Sequence, residues 1–143
     1  MTTRILWPWA EEHPASWMDE VLTRALPVGV TRAWPIAPGL MDGKYWTVSR
    51  EEFEYLLAWD WSNQASYLAD RYDCDKFARI VHANFLFRLG INSVGLVLDV
   101  SAAHAYNLVV FNDGSVGWLE PQTDQWVQLG AGLYTLTAGV VLL

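Results

Sequence analysis

The sequence predicts an α+β domain in which N-terminal helices pack on a C-terminal antiparallel sheet. Apolar residues recur at helical spacing only before residue 90. From residue 93 onward, short runs rich in Val, Leu and aromatic residues are separated by turn residues. The helical signals all precede the strand signals, whereas βαβ units would alternate them.

The first helix signal is "SWMDEVLTRALP", with Ser16 as N-cap, Asp19 three residues on and a stop before Pro27. In "VGVTRAWPIAPGLMDGK", Pro35, Pro38, Gly39 and Gly43 punctuate an irregular connection with extended pieces. "TVSREEFEYLLAWDW" carries the clearest helix: Ser49 and Glu52 make a reciprocal capping box, and Phe53, Leu56, Leu57 and Trp61 fall on one face. In "YDCDKFARIVHANFLFRLG", Asp73 is the expected N-cap and Cys74 lies in the first turn. Phe77, Ile80, Val81 and Phe85 form the apolar face there, and Gly90 stands where a left-handed stop is needed.

Five strands follow, within "SVGLVLDV", "HAYNLVVF", "SVGWLE", "QWVQL" and "LYTLTAGVVLL". The last run ends in "LTAGVVLL", far short of the roughly 20 residues that cross a bilayer, and reads as a final buried strand. With 143 residues, 52% of them hydrophobic, the chain can bury the core of one domain. That domain comprises a Trp-rich helical half, 1–66, and a helix-plus-sheet half, 67–143. Seven of the nine tryptophans fall in the first 61 residues; large rings fill a small core efficiently, yet some could be exposed anchors for a protein or sugar.

A net charge of −7 with nine Lys plus Arg excludes a nucleic-acid backbone as partner, since that binding depends on neutralising phosphates. A basic protein surface suits it better. One cysteine rules out an internal disulfide, and "MTTRILWPWAEEHP" lacks the pattern of a signal peptide, so the expected compartment is the cytoplasm.

A cysteine at a helix start has its pKa lowered by the free N–H groups there, against the opposing effect of Asp73 and Asp75. Of the three histidines, His13 reads as a surface residue of the leading loop. His82 lies roughly 12 Å along the helix from Cys74, out of its reach. His104 belongs to the sheet. If Asn112, Asp113 and Gly114 form a three-residue hairpin loop, Phe111 pairs with Ser115 and Glu120 becomes the same-face diagonal neighbour of His104. A two-residue Asp-Gly loop would put His104 and Glu120 on opposite faces. The three-residue loop would thus assemble a nucleophile, a base and an orienting acid from Cys74, His104 and Glu120; the bland alternative is a half-buried Cys74 and a His104 that satisfies backbone groups.

"YDCDKFA", "HAYNLVVFNDG" and "WLEPQTD" together resemble the papain-like domain at the C-terminal end of the Marasmius oreades agglutinin and related short phage and bacterial proteins, over about residues 67–128. The resemblance implies a papain-like fold in which Cys74 is the nucleophile, His104 the base, Glu120 the third member and Gln122 a further residue near the active site. It also implies possible dependence on calcium, although no regularly spaced calcium loop is visible. Ala103 stands where related sequences have glycine. Gln64, Asn63 and the backbone N–H of Cys74 are possible oxyanion donors. No lectin β-trefoil is expected, so sugar binding is not carried over.

The expected function is a papain-like cysteine hydrolase acting on a peptide or isopeptide bond. The alternative is a non-catalytic protein on the same fold, such as a small phage-encoded factor that binds a host enzyme in the host cytoplasm or serves in the virion. Both imply a protein or peptide partner, no membrane and no required cofactor; the sequence leaves oligomeric state open.

Overall fold

A computed structural model describes residues 6–32 and 42–143; the expected turn residues Pro35, Pro38 and Gly39 lie outside them. The elements run β1 (Glu11–Pro14), α1 (Ala15–Ala25), β2 (Val30–Arg32), β3 (Lys44–Thr47), α2 (Arg50–Leu57) and a 3₁₀ turn (Ser62–Gln64). Then come α3 (Cys74–Asn84), a π-helical segment (Phe85–Leu89), β4 (Val94–Asp99), β5 (His104–Val110), β6 (Val116–Glu120), β7 (Gln125–Val127) and β8 (Gly139–Leu142). β1 and β3 form a two-stranded sheet; the main sheet has six strands in the order β2-β8-β4-β5-β6-β7.

The main sheet is mixed, which corrects the purely antiparallel expectation. β2, a three-residue strand from the Pro/Gly-rich connection, pairs in parallel with β8 over Val30↔Gly139 to Arg32↔Val141. Arg32 fixes this edge by donating to Thr23 Oγ1 at 2.8 Å and by pairing with the Asp19 carboxylate. A parallel pair between segments so far apart in the chain leaves no local sequence signal.

Strand alternation divides the core into two layers. Tyr106, Leu108 and Val110 of β5 pack with Met18, Val21 and Leu22 of α1. The intervening Val109 packs with Phe111, the Phe53, Leu56 and Leu57 of α2, and Val81 of α3. The sheet is therefore covered on both faces, and β5 is buried along nearly its whole length.

The helix α2 begins with both halves of the Ser49–Glu52 capping box. It ends at Leu57, so Trp61 is carried past the apolar face and is 72% exposed. α1 starts at Ala15, one residue before the expected cap, and Ser16 makes no capping bond. Asp73 does occupy the N-cap position of α3, but its side chain caps nothing and binds Lys76 Nζ at 2.9 Å instead. Ile80 is only half-buried on the predicted apolar face, and Gly90 closes the helical run at φ 70° as expected. His13 lies on a strand, not in a loop, stacked 3.8 Å from the Trp17 ring with 16% of its side chain exposed.

Candidate functional site

The hairpin between β5 and β6 sets the first candidate region. Phe111 N–H donates to the Ser115 carbonyl at 3.0 Å, Gly114 is left-handed at φ 79°, and Val110↔Val116 to Asn107↔Leu119 continue the register. This is the three-residue loop, and His104 and Glu120 do face each other: Nε2 lies 2.7 Å from Oε2. Tyr134 Oη donates to the same oxygen at 2.8 Å, and the Gln122 N–H donates to Oε1 at 3.1 Å. Burial raises the Glu120 pKa, but these partners outweigh it and hold the carboxyl below its ordinary range.

Cys74 does not join this network. His104, Tyr106 and Glu120 share one sheet face, as their ring and hydrogen-bond contacts show. The Cys74 side chain packs on the other face, with Ala78, Leu96 and Ala105. Cys74 and His104 both line an open cavity of about 210 Å³ at the end of the sheet, but among the described residues no hydrogen bond joins them. Gln122 reaches Glu120 through its backbone only. Gln64 lies elsewhere, donating to Asn63 Oδ1 at 3.2 Å and lining a different cavity.

Among the described residues, no three of His, Cys, Asp and Glu gather around a common point. Asp73 and Asp75 both bind Lys76 Nζ at 2.9 Å, and Glu120 is occupied as described.

Two residues of this corner have no sequence motif. Asp99, 1% exposed, accepts from the Ala102 N–H at 3.1 Å, the Leu136 N–H at 2.8 Å, Tyr106 Oη at 3.1 Å and the Ser101 hydroxyl. Burial raises its pKa, and these donors more than compensate, leaving it below the usual carboxylate range. Tyr134, pressed against Glu120 and partly desolvated, has its pKa pushed up to about 12. Ala103 is held at φ 50°, a conformation glycine adopts at less cost.

A second region lies at the other end of α3. Trp7, Tyr55, Trp59 and Trp61 line adjoining cavities with Asp60, Asn84 and Arg88. Trp7 packs edge-on to Trp9 at 4.9 Å, and Tyr55 lies 6.4 Å from Trp7 and 6.5 Å from Trp59. Asp60 is buried on the floor, accepting from Ser62 Oγ and Asn84 Nδ2, each at 2.7 Å. Asn63 Nδ2 donates to Asp124 Oδ2 at 2.7 Å, and Asp124 Oδ1 is buried without a partner. Burial and the Asp60 charge raise the Asp124 pKa to about 6. Among the described residues the tryptophans divide: Trp7, Trp17, Trp118 and Trp126 pack half-buried against the two cores, whereas Trp9, Trp46, Trp59 and Trp61 are exposed.

The mixed sheet with helices on both faces is an arrangement this chain shares with lectins. It superposes on PSL1a in its complex with E-64 at TM-score 0.65 and 19% identity, covering 92% of this chain and 50% of that one. It also superposes on the Polyporus squamosus lectin bound to the human-type influenza-binding epitope Neu5Acα2-6Galβ1-4GlcNAc, at TM-score 0.60 and 22% identity, covering 90% of this chain and 49% of that one. The chain thus spans about half the length of these neighbours. No curated protein matches it. The chain belongs to the family of ricin-type β-trefoil lectin C-terminal domains, whose model matches residues 18–136.

These findings bear out the coarser part of the resemblance read from the three motifs, to the C-terminal domain of a lectin, and they supply no support for its papain-like or phage part. They also overturn the cysteine-hydrolase function and its alternative, a phage-encoded host-binding factor. The family and the fold neighbours are lectins.

Proposed function

We propose that this chain recognises carbohydrate through the aromatic cleft around Trp59 and Trp61. One observation carries the reading: these two rings are 63% and 72% exposed on either side of Asp60, which is 6% exposed. Exposing several large rings side by side has a hydrophobic cost that a binding surface recovers on contact. Sugars match such a surface because a pyranose has an apolar C–H face that stacks on an aromatic ring and a rim of hydroxyls that hydrogen-bond. Asp60, Asn84 and Arg88 supply donors and acceptors beside the rings. Membership in a lectin family supports the same reading, as does a fold neighbour bound to a sialylated trisaccharide.

The test is titration of the purified chain with a glycan panel, read by tryptophan fluorescence and calorimetry. Trp59→Ala is expected to weaken binding at least tenfold while leaving the unfolding midpoint unchanged. Binding that survives both Trp59→Ala and Trp61→Ala at full strength would place the sugar elsewhere and end this assignment.

A further inference from the structure

The cleft is longer than one sugar ring needs. Its first cavity, about 280 Å³, lies against Trp7, Tyr55 and Trp59. The second, about 470 Å³, lies between Trp59 and Trp61, and the third, about 490 Å³, lies against Trp61, Asn63, Gln64 and Asp124. Single pockets for small molecules run about 300–1,000 Å³, so each is near or within that range alone. Asp60 borders all three, Trp59 joins the first to the second, and Trp61 joins the second to the third. Two exposed rings in succession along one trough are two stacking platforms.

The charge along the trough is uneven. Arg88 borders the first and second cavities, whereas Asp60 and Asp124 face the third, where no cation lies among the described lining residues. Asn63 and Gln64 add two amides at that end, groups that pair with hydroxyls as donor and acceptor. A carboxylate on the ligand would there meet two acidic side chains, and like charges that close are costly.

We infer that the trough takes a neutral oligosaccharide of two or more rings, one stacked at Trp59 and the next at Trp61, with acidic sugars excluded from the Trp61 end. The inference rests on the carbohydrate reading above and deepens it. Trp59 supports every bound chain, Trp61 only those long enough to reach it, and Asp124 acts as the filter against anionic rings.

The experiment uses neutral malto-, cello- and chito-oligosaccharides of one to four rings, titrated into wild type, Trp61→Ala and Asp124→Asn. For at least one series, affinity is expected to rise tenfold or more between one ring and three. Trp61→Ala should abolish that gain, so that three rings bind no better than one, and near-UV circular dichroism should confirm an intact fold. Asp124→Asn should raise the ratio of uronic-acid to neutral oligomer affinity several-fold. Binding that does not grow with length, or a Trp61→Ala loss equal for one ring and three, overturns the extended site but keeps the carbohydrate reading. Failure of all three series to bind also overturns the extended neutral site, whereas the carbohydrate reading falls only if the glycan panel fails as well.

Discussion

The two ends of α3 present opposite solutions for polar and aromatic groups. At its N-terminal end, the corner around His104, Glu120, Tyr134 and Asp99 is closed: the carboxylates there are occupied by neighbours within the fold. At the C-terminal end, about 15 Å away along the helix axis, Asn84 and Arg88 open onto rings that face solvent. Polar groups that already have partners in the fold gain little from a ligand, whereas exposed rings beside hydrogen-bonding groups still have contact energy to release. Motif matching drew attention to the first end, and the exposure of Trp59 and Trp61 moves it to the second.

The largest test of the closed corner is Asp99→Ala, which strands several buried donors at once and should lower unfolding stability by about 3–5 kcal/mol in chemical denaturation. A loss under 1 kcal/mol would show the corner to be less closed than its hydrogen bonds indicate. The folded Asp99 carboxyl titrates below its unfolded value. Its contribution is therefore complete above the unfolded value near pH 4 and is lost as pH falls through the lower folded value.

Glu120→Ala comes next. It removes the common acceptor of His104, Tyr134 and Gln122 and should cost about 2 kcal/mol, with glycan affinity unchanged. A parallel loss of affinity would couple the two ends. The tenfold weakening expected for Trp59→Ala is smaller, about 1.4 kcal/mol, and falls on binding alone.

Asp124→Asn should stabilise the fold by on the order of 1 kcal/mol at pH 7, once solvent screening is allowed for. Its folded pKa of about 6 lies above the unfolded carboxylate value, so the native state binds more protons between the two. Wild-type stability therefore rises as pH falls from about 6 toward 4, and the advantage of the variant should vanish across that window. A constant difference from pH 4 to pH 8 would contradict the burial of this carboxyl. The smallest effect belongs to Cys74→Ala, about 1 kcal/mol or less from lost packing, with glycan binding within twofold of wild type. A larger binding loss would tie the thiol to the ligand after all.

Features held by neighbours in the chain were legible in the sequence. The Ser49–Glu52 capping box, the left-handed Gly90 and the Asn112–Gly114 loop each depend on residues a few positions apart, and the loop correctly predicted the meeting of His104 and Glu120. Long-range pairings were not. β2 finds β8 across more than a hundred residues, Tyr134 and Asp99 carry no motif, and which tryptophans stay exposed depends on where α2 stops. Cys74 shows the limit most clearly: its helix position was read correctly, but which sheet face it shares with which histidine is set by tertiary packing.

The position of β8 has a consequence for how the molecule is made. This strand, residues 139–142, lies between β2 and β4 and, among the described residues, is the one main-sheet neighbour of β2. The layer carried by α1 cannot be locked to the sheet through Arg32 until β8 is in place, so two segments more than a hundred residues apart must close the structure together. Before that step the chain exposes two unpaired strand edges, and a truncation ahead of Gly139 would leave them exposed for good, open to pairing with other copies of the chain.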